Sequence, residues 1–249
     1  MAMALFRFYE ELNDFLPPEK RKTWFSYSFT GSPSVKDAIE SLGVPHTEVD
    51  LIVANGGSVD FGYRICDNDR ISVYPVFESL DISPVAVLRA KPLREPRFVL
   101  DVHLGKLAKY LRLLGFDTLY ENDYSDEAIA GIASQDPGRI VLTMDRGLLK
   151  RKVITHGYCV RSRKWNEQVR EVLARFDLYS QVKPFSLCLS CNGKIEHQAD
   201  PPPGEIPPAV KRQCTEFSRC SRCGKLYWKG SHYDRMEALI GEFTARPES

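Results

Sequence analysis

Ile140-Val141-Leu142-Thr143-Met144-Asp145 is the stretch from which the chain is best read. It is a short, nearly unbroken apolar run, and it ends in a carboxylate. Such a run is the mark of a strand buried on both faces, as in a parallel sheet covered by helices. The pattern occurs once more upstream, where Phe98-Val99-Leu100 runs into Asp101, and the acidic stretch Asp123-Tyr124-Ser125-Asp126-Glu127 lies between the two. Carboxylates at strand ends converge on the sheet edge where α/β folds place their ligands. Oxygen-rich clefts of this kind hold hard cations and suit metal-assisted phosphodiester hydrolysis. The plainer alternative is that each aspartate ends its strand as a turn or helix-capping residue.

Working outward, the segment 96–182 alternates between strand and helix patterns. Leu104, Leu107, Leu111 and Leu114 recur at helical spacing and Gly115 follows as a C′ residue. Lys106, Lys109 and Arg112 fall off that apolar stripe; His103, Lys106 and Arg112 stand near Asp101 as candidates for substrate contact, and a solvated helix face explains the last two as well. Phe116–Tyr120 reads as a strand, Ser125 caps a helix to about Ser134, and Arg139–Met144 delivers Asp145. Val153–Val160 continues the pattern and Glu167–Phe176 reads as a helix. This alternation implies a parallel, layered α/β domain. Charge is divided sharply within it. From Asp117 to Asp136 there are six acids and no Lys or Arg; from Arg139 to Arg175 there are ten Lys/Arg against three acids. The basic set includes Arg146, Lys150, Arg151, Lys152, Arg161, Arg163 and Lys164. An acidic patch beside a basic one suits a metal site facing a phosphate backbone, and two solvated faces would look the same.

Residues 1–92 differ in character, with 9 Lys/Arg against 13 Asp/Glu, a net −4 in a chain whose total is +1. Alternating runs at Leu5–Tyr9 and Thr23–Phe29 predict two strands. Ser34 caps a helix with Val35, Ala38, Ile39 and Leu42 on one face, ended by Gly43. Strands at Val49–Val53 and Arg70–Val76 follow, with the turn residues Asn55-Gly56-Gly57 between them. Strand–strand–helix–strand–strand is the order of a β-grasp, and the segment resembles the small ubiquitin-like sulfur-carrier proteins. It continues through Pro84, Pro92 and Pro96 rather than ending in a free Gly-Gly, so binding of a protein partner is the expected role.

Residues 183–249 hold Cys188-Leu-Ser-Cys191 and Cys220-Ser-Arg-Cys223, two CxxC pairs separated by 28 residues. Four thiolates complete a tetrahedral zinc shell with no open position, which makes the expected zinc structural. Seven cysteines, four of them in these two pairs, suit metal binding inside the cell rather than a disulfide framework. Cys214 competes as a ligand but has no CxxC partner, and His197 and His232 complete no ligand spacing. Pro201-Pro202-Pro203-Gly204 and Pro207-Pro208 mark an extended excursion between the pairs. The stretch Leu226–Met236 mixes aromatic and basic residues, suited to stacking on unpaired bases or to covering a zinc ribbon.

Taken together, Asp101–Asp117, Ser125-Asp126-Glu127, Leu142-Thr-Met-Asp145-Arg146-Gly147, Tyr227-Trp-Lys-Gly-Ser-His232 and the two CxxC pairs resemble the Mut-seven C-terminal RNase family. The resemblance implies a ubiquitin-like β-grasp domain at 1–92, a PIN-like nuclease domain at 96–182 and a zinc ribbon with a C-terminal helix at 183–249. It further implies an Mg²⁺- or Mn²⁺-dependent ribonuclease with Asp101, Asp126 or Glu127, and Asp145 as its acids, acting on RNA such as tRNA, rRNA or the ribosome. Many PIN domains carry a fourth acid two residues after the third; that position is Gly147 here, which implies a thinner metal shell. Two other readings remain: an RNA- or ribosome-binding module without catalysis, and a toxin-type RNase. No apolar run reaches the roughly 20 residues of a membrane span, and no signal-peptide pattern precedes the first strand; a cytoplasmic protein is expected.

Overall fold

The computed structural model describes residues 1–75, 95–198, 206, 210, 214 and 216–245. In the N-terminal half the elements are β1 (Ala2–Phe8), β2 (Phe25–Phe29), α1 (Val35–Ser41), β3 (Val49–Ala54), β4 (Gly57–Val59) and β5 (Arg70–Pro75). The middle of the chain forms β6 (Arg97–Leu100), α2 (Gly105–Leu113), β7 (Thr118–Leu119), α3 (Asp126–Gln135), β8 (Arg139–Thr143), α4 (Arg146–Leu149), β9 (Gly157–Cys159) and α5 (Trp165–Arg175). The C-terminal part forms β10 (Ile195–Gln198), β11 (Phe217–Cys220), β12 (Leu226–Trp228) and α6 (Ser231–Thr244). The prolines from Pro84 to Pro92, Pro201-Pro202-Pro203-Gly204, Pro207-Pro208 and the end of the expected strand at Val76 lie outside the described residues. The chain divides into two compact units, residues 1–95 with 125–159 and residues 96–124 with 160–249.

The first unit begins with a strand of period 2. Ala4, Phe6 and Phe8 of β1 are buried while Met3 and Leu5 face outward, the alternation of a sheet packed on one side. The sheet order is β2-β1-β5-β3-β4. β1 runs antiparallel to β2 and parallel to β5, and β3 is antiparallel to both β5 and β4. Helix α1 starts where the sequence predicts, with a reciprocal capping box between Ser34 and Asp37. Asn55 and Gly56 both have positive φ, as a two-residue hairpin of the primed type requires. The turn therefore leads at once into the short β4, and β5 pairs on the opposite edge of β3, an element the sequence reading did not separate. Buried Asp69 accepts from the Asn55 side chain, the Tyr63 hydroxyl and the Cys66 N–H, at 2.7, 3.0 and 2.8 Å, and so closes the approach to β5.

The same unit holds α3, β8, α4 and β9. All five residues of β8 are buried, and β8 pairs in parallel with β9. The N-terminal segment is bonded directly to this stretch. Glu48, with no solvent exposure, accepts from the Cys159 N–H at the end of β9. His46 places Nε2 2.9 Å from the Ile154 carbonyl and Nδ1 2.6 Å from Glu40. Burial, together with Lys36, holds the His46 pKa below its ordinary value. Lys150 donates to the Glu40 carbonyl at 2.6 Å, and Arg146 lies 4.8 Å over the Phe15 ring.

In the second unit β6 pairs in parallel with β7. Leu104, Leu107, Ala108 and Leu111 of the helix region are buried, and α2 packs against α5. Tyr110 stacks on Trp165 at 4.4 Å, and Phe243 of α6 meets both rings edge-on. Gly115 ends α2 at φ +92°; a Cβ there would stand 2.3 Å from the Lys183 carbonyl, so the close approach admits only glycine. β10, β11 and β12 form an antiparallel three-stranded sheet.

Replacing Glu48 by Ala leaves the Cys159 N–H buried without an acceptor, a loss of roughly 1–3 kcal/mol, and Glu48→Gln, which keeps an acceptor oxygen, loses less. Urea unfolding of the full chain measures both; equal stability of Glu48→Ala and the parent chain contradicts the assignment.

Candidate metal centre and carboxylate site

The two CxxC pairs come together in the second unit. The sulfurs of Cys188, Cys191, Cys220 and Cys223 all lie within 4.8 Å of one another, with Cys188–Cys223 at 3.6 Å and Cys191–Cys220 at 3.4 Å. Each pair sits on a tight backbone knuckle. Cys188 donates its N–H to the Gly193 carbonyl, and Gly224, at φ +73°, donates to the Cys220 carbonyl. A Cβ on Gly193 would stand 2.8 Å from the Cys220 sulfur, so glycine is what lets the first knuckle close on the second. The Arg222 and Cys223 N–H groups point at the Cys220 sulfur.

The protonation of these thiols shows what the cluster lacks without a cation. Burial raises the Cys188 thiol, but the Tyr227 hydroxyl at 3.1 Å and the N–H groups of Cys191 and Ser190 outweigh it and bring the thiol down to about 6. Cys191 goes the other way: burial, opposed by the Gly193 N–H and reinforced by the three neighbouring sulfurs, pushes it up to about 12. Four sulfurs converging in this way are the donor set of a divalent cation. Among the described residues this is the group of His, Cys, Asp and Glu side chains close enough to share one ion. Cys214 stands apart with its thiol on the Lys229 carbonyl, 2.9 Å away.

Arg112 corrects one expectation. It is not on a solvated face but 4% exposed. Its guanidinium donates to the carbonyls of Thr118, Ser190 and Tyr120 at 2.9, 2.9 and 3.2 Å. Its rigid fork of donors meets several carbonyls at once, which a lysine cannot do. It thereby ties α2 and β7 to the first cysteine knuckle, and Asn192 adds a second tie by accepting from the Thr118 N–H and donating to Asp117.

The four candidate acids divide between the units. Asp101, in the second, is buried and accepts from the His103 N–H at 2.9 Å, capping a 3-10 turn over Val102–Leu104. Asp145, in the first, is exposed, caps α4 by accepting from the Gly147 N–H at 2.7 Å, and has its own N–H on the Thr143 hydroxyl at 2.8 Å. Both aspartates cap the turn that follows their strands. Gly147 is more than a missing acid. A Cβ there would come 3.2 Å from Asp145 Oδ1, so a side chain at this position crowds the very carboxylate that its N–H supports.

Asp126 and Glu127 open α3 behind the N-cap Ser125. Arg151 reaches both, 3.5 Å from Asp126 and 2.9 Å from Glu127. That hydrogen bond is the main reason the Glu127 carboxyl is held below its usual range, and Asp145 adds to the negative field felt by Arg151. The seven basic candidates differ in availability. Arg146 and Lys150 are engaged with Phe15 and Glu40, and Arg151 with the acids. Lys152, Arg163 and Lys164 are exposed, with Lys164 in a surface pair with Glu167 at 3.2 Å. The Arg161 backbone N–H is fixed on Glu171. No spacing in the sequence marks the contacts of Phe15, Glu40, His46 and Glu48, since each depends on residues about 110 positions away or more.

Comparison with known proteins gives two matches. The Mut7-C RNAse domain matches residues 96–240, and the Mut7-C ubiquitin domain matches residues 1–81. No curated protein and no solved structure matches the chain. No helix among the described residues is long and apolar enough to cross a membrane.

Metal analysis of the purified full chain is expected to find about one equivalent of a thiolate-bound divalent ion, lost in Cys220→Ser. Arg112→Lys, which leaves carbonyls beside the first knuckle unpaired, is expected to release that ion to a chelator faster than the parent chain does; equal release rates contradict the role given to Arg112.

Proposed function

The chain belongs to the Mut7-C RNAse family, and from that premise we propose that it is a metal-dependent ribonuclease hydrolysing RNA phosphodiester bonds. The observation that carries the reading is the family match over 96–240, a span that contains Asp101, Asp126 and Asp145 together with the cysteine cluster. The carboxylates supply the oxygen donors that Mg²⁺ or Mn²⁺ prefers. Asp101, Asp126 and Asp145 form no group as close as the cysteines among the described residues, so they would have to draw together to hold the ion, which when bound would lower the pKa of its water and offset charge developing on the phosphate.

The remaining work falls to the chain's own residues. The Gly147 N–H fixes one oxygen of Asp145 and the His103 N–H one oxygen of Asp101, which holds each carboxylate at the end of its strand. Glu127, exposed beside Asp126, would orient water once released from Arg151. Arg146, Lys152, Arg163 and Lys164 are exposed cations suited to phosphates, and would position the RNA without reading its sequence. Arg151 occupies Asp126 and Glu127 in the state described, so a cation must compete with it. The cysteine cluster, with four sulfurs and no open position, would hold zinc in a structural role.

Labelled RNA incubated with the protein and Mn²⁺ is expected to be cleaved, and Asp101→Asn combined with Asp145→Asn to abolish cleavage. Cleavage that survives both changes, or RNA binding with no cleavage at any Mn²⁺ concentration, removes the reading. Arg151→Gln is expected to lower the Mn²⁺ concentration needed for half-maximal cleavage; a rise in that concentration contradicts the competition assigned to Arg151.

A further inference from the structure

The second unit holds a cleft between the β10–β12 sheet and α6 that the ribonuclease reading does not use. We propose that it is a nucleobase pocket, taking one unpaired base of a single-stranded RNA; the proposal rests on the ribonuclease reading and extends it to the form of the substrate. The cavity measures about 200 Å³. A cavity of roughly 150 Å³ is enough to hold benzene, so a single base ring fits and a helical duplex does not.

Its walls have the chemistry of a base site. Phe185 and Tyr233 line it as a stacked pair, with centroids 4.5 Å apart and planes 19° apart. Trp228 also lines it and is 38% exposed, a large apolar ring left partly open to water. The strand register sets His197, Ser218 and Tyr227 side by side across the three strands. Of these, Tyr227 is fixed by its hydroxyl, which bonds the Cys188 sulfur and the Leu189 N–H. His197 and Ser218 offer an imidazole and a hydroxyl to a base edge. An aromatic wall with a few polar groups is how sequence-tolerant single-strand sites hold a base, whose π-face stacks while its edge hydrogen-bonds.

The surroundings favour a polyanion over an apolar ligand. Segments 183–198 and 216–236 together carry seven Lys/Arg and three Asp/Glu, a net +4. Lys229 at the rim pairs with Glu216 at 2.6 Å, but both side chains are more than half exposed. Such a surface pair is weak, so Lys229 can exchange Glu216 for a phosphate next to the bound base.

The test uses the full chain carrying Asp101→Asn and Asp145→Asn, so that binding is measured apart from cleavage. Fluorescence anisotropy with a short labelled oligouridine reports affinity. Trp228→Ala is expected to weaken binding on the order of 10-fold to 100-fold, the range for losing one stacked base, and Trp228→Phe to restore most of it. An oligomer with a single abasic position is expected to bind the parent more weakly but to lose nothing further on Trp228→Ala. Met236→Glu, which puts a charge into the cleft, is expected to reproduce the loss should Trp228→Ala fold poorly. Unchanged oligouridine affinity in Trp228→Ala and Met236→Glu, or a flat response to the abasic position, overturns the pocket. Cleavage by the otherwise unaltered chain is scored separately. Loss of affinity in Trp228→Ala without any cleavage by the parent chain overturns the ribonuclease reading and keeps the pocket. Cleavage with unchanged KM in Trp228→Ala overturns the pocket and keeps the reading.

Discussion

Glu48 has a carboxylate shielded from water, and one of its oxygens takes the N–H at the end of β9. A buried carboxylate is costly unless its partners are fixed, so this bond holds only if the N-terminal sheet and the β8–β9 pair keep one arrangement. His46 and Lys150 repeat the constraint at neighbouring points, each bonding a backbone carbonyl across the same boundary. The helix that carries Asp145 at its N-cap is anchored at Arg146 by Phe15 and at Lys150 by Glu40, and the chain that follows it by His46 and Glu48. In this chain the ubiquitin-like segment is part of the frame that positions a candidate catalytic acid, whatever else it binds.

The cysteine cluster plays a comparable part in the second unit. Arg112 and Asn192 connect its first knuckle to α2 and β7, the elements that follow Asp101. Gly115 admits the Lys183 backbone against the end of α2, which leads the chain from the helix region into the knuckle. A metal bound by four sulfurs would therefore stiffen the neighbourhood of Asp101 while taking no part in hydrolysis. The two anchors, one polar and buried, the other a metal cluster, support carboxylates that arise far apart in the chain.

Much of this architecture was legible in the sequence because it is local. Ser34 and Ser125 cap their helices as their spacing to the apolar stripe predicts, and both CxxC pairs carry the glycines that let a knuckle close. The buried run at β8 announced a parallel strand because only a strand covered on both faces tolerates so little polarity. What escaped was non-local. Arg112 looks like a surface residue from helical spacing, and only the carbonyls of Thr118, Tyr120 and Ser190 explain its burial. The contacts of Arg146 with Phe15 and of Lys150 with Glu40 are equally absent from any local pattern. β4 was hidden because three residues are too few for alternation to register. For the acids, the sequence identified which strands they end, while the competition of Arg151 for Asp126 and Glu127 became visible only in three dimensions.

The central claim is that two chemically distinct metal sites serve one ribonuclease, one of hard oxygen donors and one of sulfur. Crystals of the full chain grown with Mn²⁺, with anomalous scattering recorded at the manganese and zinc edges, test it most directly. The account predicts manganese bound by Asp101, Asp126 and Asp145, with Arg151 displaced from Asp126, and zinc within the Cys188, Cys191, Cys220 and Cys223 cluster. Saturating Mn²⁺ that leaves Arg151 on Asp126 and no manganese on the three aspartates would contradict it.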